Sequence, residues 1–326
     1  MTSTHASHNP ENDSRGNFAR DVIRGLARSP RTIPCKYFYD FQGSLLFDQI
    51  TEQPAYYLTL AETELLEAHA PAISALLGPR VDLIELGSGS SIKTRLLLNA
   101  LHNPLRYLPI DISAEHLQDS ARKLRDEYPN LRVEPMKGDY STSIEGVSTL
   151  PNAKRVVFFA GSSIGNFEPD DAVAFLARAK ALAGRGGVVL IGADIPKQRE
   201  VLERAYDDPA GITAAFNLNL LHRMVRELET SIEIDHFRHM AVWQPEPSRV
   251  EMRLVAQQDT RVTVNGAHFD FVEGDFIVTE HCYKYSVEAF SAIAQRAGLS
   301  LRHLWRDPSA RMSMYWLDAC DEIINA

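Results

Sequence analysis

The sequence predicts an α/β protein in which a parallel sheet is accompanied by a second, α+β lobe. A buried strand, a glycine turn and a helix start follow one another in VDLIELGSGSSIKTR, residues 81–95. From there to residue 194, short apolar strands alternate with helical segments, as in βαβ units. After residue 197 the order changes to two consecutive helices and then alternating strands, which indicates an inserted lobe.

The glycine turn after the first strand is the most informative motif. Gly87 and Gly89 suit backbone angles that are closed to other residues, and they let the main chain approach a ligand. A dinucleotide site needs a third glycine, and Ile92 at that position argues against a nucleotide-dependent oxidoreductase. The acidic Glu85 instead fits the E/D-x-G-x-G pattern of S-adenosylmethionine-dependent methyltransferases. Taken alone, a strand, a GxG turn and a helix are equally compatible with simple turn chemistry.

Composition narrows the class of partner. The 326 residues are 44% hydrophobic and 24% charged, which is ordinary for a globular chain with a sizeable core. The net charge of −9 disfavours contact with phosphate backbones, so no nucleic-acid partner is expected. No apolar run approaches the roughly 18 residues of a membrane span, and the polar start lacks the apolar core of a signal peptide. We therefore expect a cytoplasmic protein without a membrane partner.

Cysteines and histidines predict neither disulfides nor a metal site. Cys35, Cys282 and Cys320 lie far apart, and none forms a CxxC pair. His236 and His239 are the close histidine pair of the folded region, but no third ligand is evident.

The N-terminal part is predicted to contain two helices. Residues 1–15 are polar and are predicted to be disordered. Apolar residues at helical spacing predict one helix over residues 18–26. A longer amphipathic helix is predicted over residues 59–77, with Thr59 as its N-cap.

The segment between these helices, residues 32–57, is unusually aromatic. Phe38, Phe41 and Phe47 are expected to pack in a core. Because a buried phenol needs a partner for its hydroxyl, Tyr39 and Tyr56 are expected to face a polar cavity.

The second and third strands of the predicted sheet each end near an acidic residue. LRYLPIDIS ends near Asp111, about 20 residues after the glycine turn, where an acid can accept hydrogen bonds from ribose hydroxyls. After a helix over residues 113–125, LRVEPMKGDYS places Asp139 and Tyr140 at the end of the third strand. This pair suits an adenine, with Asp139 accepting from the exocyclic amine and Tyr140 packing on the ring. The alternative is that Asp139 simply caps a helix.

The fourth strand ends in a turn of small and polar residues. RVVFFAGSSIGNFEP, residues 155–169, places Gly161 and Asn166 after the strand. Ligands of open α/β sheets bind beyond the carboxyl ends of the strands, so we expect this turn beside the glycine turn. A helix over residues 170–182 and the strand GGVVLIGAD complete the series.

The rest of the chain predicts the second lobe and the sheet edge. Helices over 197–228 precede short strands that include a hairpin turn at NG, and a helix over 287–297 ends at Gly298. The last two strands, LSLRHLWRD and MSMYWLDA, are predicted to form an antiparallel edge hairpin. The domain prediction is a sheet domain of residues 61–195 and 286–326, and a substrate lobe of residues 16–60 and 196–285.

Several long runs resemble the histidine-specific S-adenosylmethionine methyltransferases, the family of ergothioneine-pathway histidine Nα-methyltransferase. They are KYFYDFQGSLLFDQI, ELGSGSSIKTR, FFAGSSIGNF, RAYDDPAGITAAFNLNLL and VTEHCYKYS. The resemblance covers nearly the whole chain. It implies a class I methyltransferase sheet, S-adenosylmethionine as cofactor, and transfer of methyl groups to the α-amine of L-histidine, giving Nα-trimethylhistidine.

The resemblance also implies the site residues. The cofactor-binding positions of the family match Gly87, Lys93, Asp111, Asp139 and Tyr140. Its substrate-binding positions match Tyr39, Tyr56, Gly161, Asn166, Tyr206, Met252, Glu280 and Cys282. Among these, Tyr39 is the expected catalytic residue, which relays the amine proton to water, and Glu280 is the acid that grips the imidazole ring.

One position departs from the family pattern. The family has a serine two residues after the acid, whereas this chain has Cys282. A thiol is a weaker hydrogen-bonding group than a hydroxyl, so ring recognition is expected to be weaker or directed at another side chain. His281 is expected to face away from Glu280 and Cys282, because alternate residues of a strand share a face.

Two alternatives to histidine methylation stay open. One is an Nα-methyltransferase for another aromatic or histidine-like amino acid, and the other is a non-catalytic sensor that binds an amino acid and the cofactor. The expected partners are small molecules, and the expected state is a monomer.

Overall fold

The structure, a computed structural model, describes residues 10–89, 91–142, 144 and 146–319. Residues 1–9, which make up most of the segment predicted to be disordered, lie outside the described residues. Helix α1, Pro10–Leu26, begins inside that segment, so residues 10–15 are helical where disorder was predicted. Proline is favoured at a first helical position, and extending a helix whose later turns are buried costs little.

Nine helices and fifteen strands are present in the described residues. After α1, the helices are α2 Phe41–Thr51, α3 Tyr57–Leu77, α4 Ile92–Ala100, α5 Ala114–Glu127, α6 Pro169–Ala183, α7 Arg199–Tyr206, α8 Ile212–Glu227 and α9 Val287–Arg296. The strands of the first half are β1 Arg31–Thr32, β2 Val81–Leu86, β3 Arg106–Asp111, β4 Arg132–Val133, β5 Met136–Lys137, β6 Lys154–Phe159 and β7 Val188–Asp194. Those of the second half are β8 Thr230–Ser231, β9 Phe237–Gln244, β10 Arg249–Ala256, β11 Thr260–Val264, β12 Ala267–Phe271, β13 Phe276–Tyr283, β14 Leu299–Arg306 and β15 Met312–Ala319.

An eight-stranded sheet forms the larger layer, in the order β14, β15, β7, β6, β2, β3 and β4, with β5 also paired to β3. Strands β2 to β7 of this sheet run parallel, and β15 pairs antiparallel with β7 and β14. This is the class I Rossmann-like sheet, and it confirms the predicted antiparallel edge. The predicted third strand is split into β4 and β5, because Pro135 between them has no N–H for the ladder.

The second lobe contains two smaller sheets. One has the order β1, β13, β10 and β9, and the other has the order β12, β11 and β8. The hairpin predicted at NG joins β11 to β12, where Asn265 and Gly266 have φ of +46° and +80°. Positive φ at both central residues is what a type I′ turn requires, so the turn residues set the register of this hairpin.

Two local predictions for the N-terminal part are wrong. Helix α3 begins at Tyr57 with Tyr56 at the cap position, so Thr59 lies within the helix and caps nothing. Phe38 is buried as expected, but the side chain of Phe41, the first residue of α2, is 50% exposed. The aromatic composition of a segment does not show which residues in the first turn of a helix face solvent. Helix α3 also crosses the predicted domain boundary at residue 60.

No helix within the described ranges is long and apolar enough to cross a membrane.

Candidate active site

A cavity between the eight-stranded sheet and the second lobe contains every predicted substrate-binding residue. We call it the inner cavity; its lining includes Tyr39, Tyr56, Gly161, Asn166, Tyr206, Met252, Glu280 and Cys282. These residues come from the turn before α2, the N-cap of α3, the turn after β6, the end of α7, and strands β10 and β13. Phe47, Ser162, Ser163, Thr213 and Phe216 also line it.

The two strands of the lobe place the acid and the methionine side by side. Met252 on β10 pairs with Glu280 on β13 in the antiparallel register. Directly opposed residues of such a pair point to the same face, which explains why both reach the inner cavity. His281, between Glu280 and Cys282, is not part of this lining and bonds the carboxylate of Glu168 through Nδ1.

The turn after β6 lines the inner cavity on the side of the large sheet and reaches the second lobe. Gly161 and Ser162 have φ of +77° and +59°, so the chain reverses sharply where the strand ends. A Cβ on Gly165 would lie 2.5 Å from the carbonyl oxygen of Tyr283. Because only glycine allows this approach, the turn packs directly on β13.

Glu280 is the acid at one end of the inner cavity. The thiol of Cys282 donates to its Oε1 at 2.9 Å, and Nδ2 of Asn166 donates to its Oε2 at 3.2 Å. Burial raises the pKa of Glu280 to about 7, although the Cys282 hydrogen bond and the Lys284 charge oppose this shift. Near neutral pH this carboxyl therefore changes between an acceptor and a donor.

The three tyrosines of the inner cavity are neutral phenols. Burial, together with nearby negative groups, raises the pKa of Tyr39, Tyr56 and Tyr206 well above the ordinary value. The rings of Tyr56 and Tyr206 meet edge to face with centroids 6.0 Å apart. A neutral phenol can donate one hydrogen bond and accept others, and its ring face tolerates a cation.

Four of the five predicted cofactor residues line two further cavities that adjoin the inner one, and Asp111 is in neither lining. The turn cavity, beside the glycine turn, is lined by Gly87, Ser88 and Lys93, among others, and shares Tyr56 and Gly161 with the inner cavity. The outer cavity has a volume of about 350 Å³. It is lined by Asp139 and Tyr140 and shares Tyr39, Asn166 and Glu280 with the inner cavity.

The aromatic ring of Tyr140 packs on the glycine turn. A Cβ on Gly87 would lie 3.1 Å from Cε1 and 3.2 Å from the hydroxyl of Tyr140, and Gly87 has φ of +68°. Asp139 accepts from the Ser141 amide at 2.9 Å and lies 3.7 Å from Nζ of Lys36. No helix begins in the described residues between Asp139 and β6, so the helix-cap alternative is wrong.

Asp111 is hydrogen-bonded to the main chain of the glycine turn. Its Oδ2 accepts from the Gly89 amide at 3.0 Å, and its Oδ1 accepts from the Ser113 amide at 2.9 Å. A carboxylate has further lone pairs, so these two bonds leave it able to accept others.

Lys93 has a protein partner that the sequence did not indicate. Its Nζ bonds Oε2 of Glu62, a fully buried residue of α3 that also accepts from the Gly161 amide at 2.8 Å. Lys93, predicted as a cofactor-binding residue, is thus connected through Glu62 to the turn after β6. The available signal was an acidic residue on the otherwise apolar face of α3.

A second buried acid, Glu85, lies at the end of β2 and lines the turn cavity. The hydroxyl of Thr94 donates to it at 2.6 Å, and the hydroxyl of Tyr107 donates to its Oε2. Burial raises its pKa to about 7, against the effect of these hydrogen bonds. The Oγ atom of Ser88, in the same turn, is buried and has no hydrogen-bond partner. An unpaired buried hydroxyl beside two positive-φ glycines fits a polar ligand group at this turn.

Among the described residues, no group of three or more His, Cys, Asp or Glu side chains is arranged to hold a metal ion. His236 bonds Thr260 at 2.9 Å, and His239 bonds Asn217 and the Tyr206 carbonyl, each at 2.8 Å.

Comparison with known proteins identifies the family. Residues 18–319 match the family described as "Histidine-specific methyltransferase, SAM-dependent". The chain is 38% identical to the histidine N-alpha-methyltransferase of Mycolicibacterium smegmatis, covering 95% of this chain and 97% of that protein. It is also 38% identical to the Mycobacterium tuberculosis protein of that name, covering 93% of this chain and 95% of that protein. An L-tryptophan methyltransferase of Psilocybe serbica is 26% identical, and the match covers 91% of this chain and 92% of that protein. The chain therefore belongs to the family of histidine-specific, S-adenosylmethionine-dependent methyltransferases.

Proposed function

We propose that this protein transfers methyl groups from S-adenosylmethionine to the α-amine of L-histidine, giving Nα-trimethylhistidine for ergothioneine biosynthesis. The observation that carries the proposal is the inner cavity, in which three neutral tyrosines, Asn166 and an acid meet beside the glycine turn. The similarity to two mycobacterial histidine N-alpha-methyltransferases supports the choice of substrate.

The residues around the turn and outer cavities fit the cofactor. The unpaired hydroxyl of Ser88 and the buried carboxyl of Glu85 suit the polar amino-acid end of the molecule. Asp111 would accept from the ribose hydroxyls, Asp139 would accept from the adenine amine, and Tyr140 would pack on the ring. Gly87 and Lys93 shape the turn between these groups.

The substrate would lie across the inner cavity with its ring towards the lobe. Tyr56, Asn166 and Tyr206 would hold the α-amino and carboxylate groups, and Glu280 would accept from an imidazole N–H. Cys282 and Met252 would complete the ring end. The N–H of Gly161 is already bonded to Glu62, so its contribution would be its carbonyl oxygen.

The proposed reaction is a direct displacement at a methyl carbon. The cofactor supplies a methyl group that is already activated by a sulfonium centre, so the protein residues must mainly align the amine. Alignment of this kind can be worth about 7 to 11 kcal/mol. The pKa of a free α-amine is about 8, so part of the substrate's amine is uncharged at cellular pH. Tyr39 would accept the amine proton in a hydrogen bond and pass it to water, and the tyrosine faces would tolerate the methylated cation.

A second candidate substrate is another aromatic amino acid. Cys282 in place of serine favours it, because the thiol is a poorer partner for a ring nitrogen. The similarity to a tryptophan methyltransferase points in the same direction.

The test is incubation of the protein with labelled S-adenosylmethionine and each of the 20 amino acids, followed by mass analysis. Histidine carrying up to three methyl groups is the expected product. Preferential methylation of another aromatic amino acid would replace histidine with that substrate. Cofactor binding without turnover on any amine would support the sensor alternative.

We further propose a cytoplasmic monomer with a cofactor-binding unit of residues 61–195 and 286–326 and a substrate lobe of residues 16–60 and 196–285. The free thiols of Cys35 and Cys282 support the compartment. Sedimentation of the purified protein would test the monomer.

A further inference from the structure

A buried lysine lies directly behind one tyrosine of the inner cavity. Lys284, the residue after β13, is only 3% exposed. Its Nζ lies 2.7 Å from the hydroxyl oxygen of Tyr206 and 2.9 Å from Oδ2 of Asp194. The same Nζ stands 4.6 Å from the centroid of the Tyr206 ring. Lysine is almost never buried unless it is paired, so this position calls for a physical explanation.

Asp194 joins Lys284 to the core sheet. It is the last residue of β7, is fully buried, and accepts from the Tyr57 hydroxyl at 2.6 Å. Lys197 also bonds this carboxylate. Burial alone would raise the pKa of Asp194, but Lys284 and Lys197 outweigh it and the pKa is lowered. These three side chains contain one carboxylate and two ammonium groups, which is an excess of one positive charge within the group; Asp307 and Glu280 interact with Lys197 and Lys284 from outside it.

The contact with Lys284 fixes how Tyr206 can bond. An ammonium group has three donors and no acceptor, so the Tyr206 oxygen must accept from it. The Tyr206 hydrogen must then point away from Nζ. Tyr206 and its neighbour Cys282 line the inner cavity, whereas Lys284 does not. Burial keeps the phenol protonated, because the pKa of Tyr206 is raised well above its ordinary value. Tyr206 is thus a neutral donor whose hydrogen is directed away from Lys284, in a residue that lines the cavity.

We propose that Lys284 is a positioning residue that makes Tyr206 a donor for the substrate's α-carboxylate, and that the excess positive charge of the Lys284, Asp194 and Lys197 group makes the site select free carboxylates over neutral amides. This inference rests on the proposed function. The arrangement gives the inner cavity a polarity, with Glu280 as the acid of the ring end and the lysine group behind Tyr206.

The test compares L-histidine with L-histidinamide, which has the same ring and amine but no carboxylate charge. Dissociation constants are measured by calorimetry in the presence of S-adenosylhomocysteine, and KM and kcat are measured with S-adenosylmethionine. In Lys284→Met, the preference for histidine over histidinamide is expected to fall about 10- to 100-fold, because a hydrogen bond to a charged group is lost. The change is expected in KM, with kcat for saturating histidine within about threefold, since the reacting atoms are not touched.

A double-mutant cycle separates the proposed role from a structural one. If Lys284 acts through Tyr206, the effects of Lys284→Met and Tyr206→Phe on the histidine preference will not add. Lys123→Met, which removes an exposed lysine of α5, is the matched control and is expected to leave the preference unchanged. Lys284→Gln keeps a neutral donor to Tyr206 and serves if the methionine variant does not fold.

The outcomes are distinguishable. Additive effects, an unchanged preference in both Lys284 variants, or full retention of the preference in Tyr206→Phe would overturn the inference while leaving the proposed function standing. Equal affinity of the unchanged protein for histidine and histidinamide would overturn it as well. If the protein binds histidine but methylates no amine, the proposed function fails, and the calorimetric comparison still decides the role of Lys284.

Discussion

The thiol of Cys282 donates a hydrogen bond of 2.9 Å to Oε1 of Glu280, inside the cavity that we propose as the substrate site. The two residues share one face of β13, and both are buried. A thiol is a weak donor, so this bond holds the carboxylate less firmly than a serine hydroxyl would.

Cys282→Ser is therefore expected to lower the KM for L-histidine. A stronger bond to Glu280 corresponds to about 0.5 to 1.5 kcal/mol, or about 2- to 12-fold in affinity, with kcat little changed. Steady-state kinetics at saturating cofactor measures it. Cys35→Ser, which makes the same exchange outside the inner cavity, is the control. A KM that stays the same or rises in Cys282→Ser would show that the thiol is not what limits ring recognition.

Local patterns predicted most of the fold, because short runs carry the strands, turns and helix ends. Each strand of the large sheet, the glycine turn and the hairpin at NG lies in a segment of fewer than twenty residues, and the antiparallel edge hairpin spans residues 299–319. The resemblance to the family then identified eight residues that the structure brings to one cavity. Their roles stay proposals.

Long-range buried contacts could not be predicted in the same way. Glu62 bonds Gly161, which is 99 residues away, and Lys284 bonds Tyr206, which is 78 residues away. Glu62 lies within α3 and Lys284 directly follows β13, and only the fold supplies their partners. The exposed side chain of Phe41 is the converse case, since its apolar character gave no information on which way the first turn of α2 faces.

Gly87→Ala is expected to weaken cofactor binding more than Gly89→Ala. Both glycines have positive φ, so both variants carry backbone strain of ~1 to 2 kcal/mol. A Cβ on Gly87 would also press on the Tyr140 ring, whereas a Cβ on Gly89 has nothing within 4 Å. Crowding of this kind costs about 1 to 3 kcal/mol, so the KM for S-adenosylmethionine should rise at least about fivefold more in Gly87→Ala. Equal effects in the two variants would mean that the Tyr140 contact is unimportant for cofactor binding.

Glu85→Gln is expected to change how stability depends on pH. Burial raises the pKa of Glu85 from 4.5 to about 7, so the folded state keeps its proton where the unfolded chain has lost it. This contribution to stability is fully present below about pH 4.5 and is lost as the pH rises to about 7, by up to about 3 kcal/mol. Glutamine has no such titration.

The measurement is urea unfolding of the cofactor-free protein at pH 5 and pH 8, with and without the substitution. From pH 5 to pH 8, the free energy of unfolding of Glu85→Gln should rise relative to that of the unchanged protein. The lost bonds to Thr94 and Tyr107 add a cost at both pH values, so they do not alter this difference. Asp111→Asn, a change of the same kind at an acid with main-chain partners, serves as the comparison. A parallel pH dependence in Glu85→Gln and the unchanged protein would show that Glu85 titrates normally in the fold.

Tyr39→Phe tests the proposed proton role and should change which products form more than whether substrate binds. The pKa of Tyr39 is raised well above its ordinary value by burial and by the negative charge of Glu280, so the phenol acts through its hydroxyl hydrogen bonds and not as an ionised base. Each methyl transfer after the first needs the newly methylated ammonium to lose a proton inside the cavity, and phenylalanine can accept none. Mono- and dimethylated histidine should therefore accumulate, with the KM for histidine changed less than about threefold.

Tyr56→Phe, at the edge of the Tyr206 ring, should instead raise the KM and leave the ratio of the three products unchanged. Mass analysis of the products over time distinguishes the two variants, and an unaltered product ratio in Tyr39→Phe would refute the proton role.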